Sequence, residues 1–408
     1  MELVRPTNQP WLDPAAYWGA FDRATAELDP PFGVISLAAL AHNAFDLLDR
    51  ADGMPIRVAS KSVRVRAVLD AVLALPGYHG VLAYTLAEAL WLAETIEDVV
   101  VGYPTADRAS IAKLAASPPL AGRVTLMVDS VAHLDFIESV LGSGGHEPIR
   151  VALELDASFH SRALGYIGVY RSPVRTVADA VEVARAIVER PGFELVGMMS
   201  YEAQIAGVTN EPPGKPVLGR TVRWAQKHSY AELLERRVKV VAAVRELAEL
   251  EFVNGGGTGS IERTVADPAI TEVAAGSGLF GPRLFDGYRH FSPAPAAAFA
   301  LSVVRKPTPD MATLLGGGWI ASGPTAPDRS PYLAWPAGLE YVPREGAGEV
   351  QTPLRGEAAA ELKVGDRVWL RHTKAGEVSE HLDDFAIVHD GRIVETVPTY
   401  RGEGRLFL

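Results

Sequence analysis

Apolar residues in this chain gather into short unbroken runs separated by stretches of helical periodicity. Eight runs fall at 56–59, 81–84, 99–103, 124–129, 149–155, 195–201, 252–253 and 273–275. Between them lie helical segments such as 62–75, 105–116, 177–189 and 230–250. A strand that is apolar at every position is buried on both faces, and strands joined by helical crossovers run parallel. Eight such repeats predict an α/β fold, a (β/α)8 barrel over residues 31–290, in preference to an open doubly wound sheet. From about residue 290 the texture changes. Short β-like runs at 298–304, 312–315, 367–370, 385–388 and 392–395 sit between Pro, Gly and Asp clusters. They predict a smaller all-β domain over 291–408, with residues 1–30 packed nearby. His389-Asp390-Gly391-Arg392 reads as a tight hairpin turn, because Asp-Gly tolerates positive φ.

Barrel enzymes carry their chemistry at the carboxyl ends of the strands. Those ends hold Lys61, Tyr84-Thr85 with Glu88, Asp129, Asp156 leading to Arg162, Tyr201, and two glycine-rich turns. A lone loop lysine is ordinarily a solvated charge. Its neighbours Arg57, Arg64 and Arg66 either form a basic surface with it or, if buried beside it, lower its pKa as Schiff-base chemistry requires. The turn Asn254-Gly255-Gly256-Gly257-Thr258-Gly259-Ser260 opens into a helix, an arrangement that suits an anion such as phosphate. It lacks the Walker ending and the dinucleotide spacing, and its plain alternative is a tight βα turn. Gly276-Ser277 ends the next strand, and the pair of turns fits the phosphate site that barrels often place there. Tyr201 is placed to meet a flat aromatic cofactor. Asp129 and Asp156 can instead cap the helices that follow them. In the β domain, His372, Lys374, Glu377, Glu380 and His381 lie close in sequence. Histidines among carboxylates read as a divalent-metal site or as an ordinary surface strand.

Composition narrows the partners. Apolar residues make up 48% and charged residues 22% of 408, which is ordinary globular content. A net charge of −11 argues against nucleic acid or an anionic membrane as partner. The absence of cysteine excludes disulfides and thiol chemistry and fits a cytoplasmic location. No run approaches a bilayer span, and the start has no signal-like apolar core.

The order strand–Lys61, Tyr84-Thr85-Leu86-Ala87-Glu88, Val99-Val100-Val101-Gly102-Tyr103-Pro104, Tyr201-Glu202, Gly255-Gly256-Gly257-Thr258-Gly259, Gly276-Ser277 resembles the alanine-racemase-like (fold type III) pyridoxal-phosphate enzymes. Within them it is similar to the D-threonine aldolase and D-serine dehydratase branch, from about Pro31 to the C-terminus. The resemblance implies pyridoxal 5'-phosphate held by Lys61, with Gly256, Gly257, Thr258, Gly276 and Ser277 around its phosphate. It implies Tyr201 beside the ring, Arg162 reaching toward the cofactor, and a homodimer with shared active sites. The branch carries a His-x-Cys or His-x-Asp pair for a divalent metal (Mn, Mg or Zn). Here His372 stands at the histidine, but Lys374 stands at the second ligand. Either Glu377, Glu380 or His381 completes a metal site, or no metal binds and Lys374 contacts substrate. The implied activity is a lyase cleaving Cα–Cβ of D-β-hydroxy-α-amino acids, with catalytic Lys61, His372 and Tyr201. The rivals are a D-serine or D-threonine dehydratase, a racemase, a non-catalytic pyridoxal-phosphate protein, and a phosphosugar barrel enzyme.

Overall fold

The computed structural model describes residues 1–142, 146–161, 165–324 and 326–408. The chain divides into two compact units. One comprises Leu47–Ser60, Pro76–Gly276 and Phe407–Leu408; the other comprises Met1–Asp46, Lys61–Leu75 and Ser277–Leu406. The sequence set the barrel at 31–290 and the β domain at 291–408 with 1–30 packed nearby; in the structure the β unit takes in the first 46 residues and 61–75 and resumes at Ser277.

The first strand, β1 (Phe32–Ser36), belongs to the β unit. The barrel unit holds β2 (Ile56–Ala59), β3 (Tyr78–Ala83), β4 (Val99–Val101), β5 (Val124–Val128) and β6 (Ile149–Glu154). A hairpin follows, β7 (Phe159–Ser161) and β8 (Gly165–Ile167), then β9 (Phe193–Ser200), β10 (Phe252–Gly255) and β11 (Glu272–Ala275). Strands β2 to β6 and β9 to β11 pair in parallel, and β11 pairs with β2 to close an eight-stranded barrel. All eight apolar runs are barrel strands. Buried side chains of these strands, among them Val100, Met127, Ala152, Val196, Met199 and Phe252, form one core cluster.

At the strand starts that interior contains charge. Arg57 is fully buried, with Glu272 at 2.6 Å and Asp98 at 2.8 Å, and its guanidinium lies over the Phe252 ring. His79 adds a contact to Asp98 at 2.8 Å. Arg57 is therefore matched to carboxylates at the amino ends of the strands, away from the end where β2 runs into Lys61.

The helices follow the sequence except at one place. The segment predicted over 230–250 is a 30-residue helix, Pro216–Arg245. Its first half buries Gly219, Gln226 and Ser229, and the Gln226 amide donates to the carbonyls of Ile205 and Val208. A helix face buried through polar groups leaves no apolar periodicity to read.

In the β unit the strands are β12 (Ala297–Arg305), β13 (Ala312–Leu315), β14 (Tyr332–Trp335), β15 (Glu340–Tyr341), β16 (Gln351–Arg355), β17 (Arg367–Arg371), β18 (Asp384–His389) and β19 (Arg392–Pro398). They run in the order β15-β16-β13-β12-β1-β18-β19, with β17 pairing both β12 and β14. All pairs are antiparallel except β1 with β18. The β18–β19 turn has Asp390 at φ 49° and Gly391 at φ 72°, as its sequence requires. The helix Pro14–Ala24, capped by Asp13, packs Trp18 and Phe21 on the fully buried Trp369. The N-terminal residues thus belong to the β unit. No helix among the described residues is long and apolar enough to cross a membrane.

The buried Asn43 ties the helix Leu37–Ala51 to the chain leading into β12. Its amide donates to the carbonyls of Leu279 (3.0 Å) and Ala294 (2.8 Å) and accepts from the Ala294 N–H (2.7 Å). Asn43→Ala strands two buried carbonyls and one N–H. The expected loss is about 2–4 kcal/mol, read as a lower denaturant midpoint at unchanged slope. An unchanged midpoint would show that this clamp does not stabilise the unit.

Candidate active site

Both glycine-rich turns at the carboxyl ends of the barrel strands need their glycines. Gly256 sits at φ 77°, where side chains are strained, and a Cβ there would come within 2.7 Å of Thr264 Oγ1. At Gly257 a Cβ would press on Ala206 and on the Tyr201 ring. At Gly276 it would collide with the carbonyl oxygen of Ala59. Beneath the first turn lies the buried carboxylate of Glu202. It accepts from the Gly256 N–H (3.0 Å) and from Thr264 Oγ1 (2.6 Å), and it pairs with Arg237 (3.2 Å). Arg237 in turn holds the buried Asp267 at 2.9 Å. The Gly257 N–H is taken by Ser260 Oγ at 3.2 Å. These two glycines therefore shape the cradle, while their own N–H groups already have acceptors. The helix that follows, Ile261–Val265, is too short for an appreciable macrodipole. Positive charge comes instead from the largely buried Arg50, which donates to the Thr258 carbonyl (2.6 Å) and pairs with Glu262 (2.6 Å).

Around Tyr201 the barrel adds groups that the sequence did not single out. The Arg171 guanidinium lies 5.0 Å from the centre of the Tyr201 ring and 5.3 Å from that of Tyr103. Cation–π contact with two rings fixes the orientation of both. Glu154, ending β6 and 3% exposed, has its pKa pushed up to about 7. Burial is the main cause, Asp129 and Asp156 add to it, and Arg171 opposes it. Asp156 anchors its own loop, accepting from Ser158 N–H (3.1 Å) and facing Arg175 at 3.2 Å. Asp129 meets His133 at 3.2 Å, so its partner is a side chain in the first turn of the helix it was expected to cap. At the second strand end Thr85 accepts from the Glu88 N–H, and Glu88 accepts from the Tyr84 N–H at 2.7 Å. Arg162 lies outside the described residues.

In the β unit, Lys61 lies in the single turn Ser60–Ser62 that follows β2. Arg64, at φ 55°, folds back so that its Nε donates to the Lys61 carbonyl at 3.0 Å, while its guanidinium pairs with Glu380. Arg66 pairs with Glu403. The arginines flanking Lys61 in sequence are thus each matched by carboxylates. A Cβ on Gly376 would collide with the Lys61 carbonyl, so the turn after β17 rests directly on the Lys61 backbone.

That turn carries the histidine cluster. Glu377 accepts from the N–H groups of Thr373 (2.9 Å), Lys374 (2.7 Å) and Ala375 (2.7 Å), closing the turn as a side-chain cap. The His372 ring is 1% exposed, lies edge-on to Phe280, and has no partner of normal hydrogen-bond geometry at either nitrogen. Burial pushes its pKa down to about 4, against the pull of Glu377, so the imidazole is neutral. His381 stacks nearly parallel on the Trp319 indole at 4.8 Å. Lys374 Nζ donates to the Ser322 carbonyl at 3.2 Å. Among the described residues no group of three or more His, Asp or Glu is arranged to hold a metal ion. Of the residues expected as metal ligands, Glu377 lies close enough for its charge to act on both His372 and His381, while its carboxylate also serves the backbone and His381 lies in a ring stack.

Residues 35–283 match the family model "Alanine racemase, N-terminal domain". The chain belongs to that family. Across 90% of its length it is 26% identical to D-threonine aldolase of Arthrobacter sp., covering 89% of that protein. It is 28% identical to 3-hydroxy-D-aspartate aldolase of Paracoccus denitrificans over 62% of this chain and 61% of that one. The solved D-threonine aldolase from Filomicrobium marinum shares the fold with a TM-score of 0.76 at 20% identity, covering 92% of this chain and 96% of that chain. D-threo-3-hydroxyaspartate dehydratase from Delftia sp. HT23 gives 0.68 at 19% identity, over 91% and 97%.

Within this alanine racemase N-terminal domain, Glu202, Arg171, Glu154 and Arg50 were missed by sequence reasoning. Only Glu202 had a signal, as the residue after Tyr201. Arg171 comes from an irregular segment and Arg50 from the end of a helix whose partner is about 200 residues away. Glu154 yields a pH prediction. Between the ordinary value of 4.5 and about 7 the unfolded chain releases this proton while the folded chain keeps it. Stability is therefore lost as pH rises through that window, by roughly 3 kcal/mol in all. Thermal denaturation of Glu154→Gln against the parent should show a gap in favour of the variant that widens from pH 5 to pH 8. A gap independent of pH would refute the assignment.

Proposed function

We propose that this protein is a pyridoxal-phosphate-dependent lyase that cleaves the Cα–Cβ bond of D-β-hydroxy-α-amino acids to an aldehyde and glycine or a related amino acid. The observation that carries this reading is the lysine–histidine arrangement of the β unit: a buried, neutral His372 leads into the turn that rests on Lys61. The Arthrobacter D-threonine aldolase, alike over nine-tenths of this chain, gives the substrate class.

Each unit offers groups of the kind the cofactor needs. In the β unit Lys61 would offer the amine, with Ser277 a hydroxyl for the phosphate; in the barrel unit the turn at Gly256, Gly257 and Thr258, floored without side chains and backed by Arg50, would offer room and charge for the phosphate, with Gly276 at the next strand end. Tyr201, oriented by Arg171, offers a ring beside the cofactor. When bound, the cofactor supplies an electron sink for charge developing at Cα. Lys61 would hold the cofactor through its amine. His372, kept neutral by burial, accepts the β-hydroxyl proton at a ring nitrogen as the Cα–Cβ bond breaks and the β-carbon leaves as an aldehyde. The turn that carries His372 is held by Glu377, and that rigidity sets the base against the reacting hydroxyl. The reading includes a homodimer with shared active sites and a cytoplasmic location.

Purified protein supplied with pyridoxal phosphate and D-threonine should release acetaldehyde and glycine. Keto acid and ammonia would establish the dehydratase instead, and no change in D-threonine or D-serine would remove both. Borohydride reduction should fix the label on Lys61, and Lys61→Ala should lose the visible absorbance together with turnover. His372→Ala should lower kcat by about 10²–10⁴-fold while the absorbance is retained.

A further inference from the structure

Within the β unit, His372 is held from a second stretch of chain. The Arg283 N–H donates to the His372 carbonyl (3.1 Å) and the Leu284 N–H to the Thr373 carbonyl (2.9 Å), so Arg283–Leu284 lies along the chain as it leaves β17. The same stretch begins at Phe280, the fully buried ring that His372 meets edge-on. Between the two, Gly281 sits at φ 61°, where a Cβ would collide with the Ala294 carbonyl. His372 thus meets this segment through its ring and through its carbonyl. A side-chain pair locks the segment to β17. Arg371, the last residue of β17 and 7% exposed, donates to the Asp286 carboxylate through both outer nitrogens, at 2.9 and 3.1 Å. One of those nitrogens also donates to the Gly281 carbonyl at 2.7 Å. Arg283 adds a third contact to Asp286 at 2.6 Å. Its guanidinium lies 4.3 Å from the centre of the Tyr332 ring, and Tyr332 stands opposite Arg371 in β14. A two-pronged arginine–carboxylate pair fixes direction as well as distance.

We infer that Asp286 is a positioning residue for the reaction: through its two-pronged grip on Arg371 it fixes the strand end that presents the His372 ring. On the lyase reading above, on which this role rests, that ring takes the β-hydroxyl proton. Asp286 makes no hydrogen bond to the ring itself. Its effect passes through Arg371 on one side and through the Arg283 backbone on the other, a loop that closes on His372. Glu377 fixes the turn beyond the histidine and Asp286 fixes the chain before it, so the base lies between two anchors. Displacing such a base by about 1 Å costs rate, while substrate contacts made elsewhere keep their strength.

The test uses the full chain loaded with pyridoxal phosphate. Asp286→Asn keeps the size of the side chain and loses the two-pronged grip. It should lower kcat for D-threonine by about 10–10²-fold, with KM within about twofold and the cofactor's absorbance retained. Arg371→Lys keeps the charge without the fork geometry and should show the same loss. In a His372→Ala background Asp286→Asn should change kcat no further, because its effect passes through that ring. Hydrogen exchange read by mass spectrometry needs no turnover: the backbone over residues 371–377 should exchange about tenfold faster in Asp286→Asn than in the parent. A lower melting temperature with kcat unchanged would make the pair a stabilising contact alone and overturn the inference. So would equal losses with and without His372, or exchange over 371–377 that matches the parent. A parent inert toward D-threonine whose 371–377 segment still loosens in Asp286→Asn would refute the lyase reading and leave the clamp on His372 standing.

Discussion

The seam at which β11 meets β2 is the constraint on which the barrel depends. At its amino end Arg57 of β2 is held by Glu272 of β11, with the partly exposed Asp98 as its second partner. At its carboxyl end Gly276 passes so close to Ala59 that no side chain fits between them. Removing one partner of a buried, hydrogen-bonded pair leaves an uncompensated charge that costs several kcal/mol. Because β2 runs straight into Lys61 and β11 into Ser277, the seam fixes where both begin.

Charge in the two units is managed by pairing rather than by exposure. Arg237, Glu202 and Asp267 form a buried network under the glycine turn, and Arg50 with Glu262 braces its far side. The arginines around Lys61 are each met by carboxylates, so the expected crowding of unpaired cations does not arise. Two groups stand apart in this economy of charge. Glu154 is buried with like charges near it and is driven toward its neutral form, and His372 is buried with no hydrogen-bond partner of normal geometry. Holding such groups carries a standing cost in stability, which proteins concentrate where chemistry is done.

The sequence alone determined the barrel and its polarity. Strands buried on both faces must be apolar at every position, and that pattern is local, so all eight were legible. Lys61 and the glycine turns were legible because chain order alone puts them just past those strands. Four strands of the other sheet, β1, β14, β15 and β16, were not: β15 is two residues long, and β1 pairs only with β12 and β18 near the other end of the chain. Tertiary structure alone decided what each polar group does. Gly256 turns its N–H to Glu202, Glu377 spends its carboxylate on its own turn, and His381 stacks on Trp319. A group's availability depends on which other group reaches it first, and for Gly256 and His381 that group comes from a distant part of the sequence. Sequence spacing records none of that competition, which is why residue type could nominate ligands while only packing could say whether they were still available to bind.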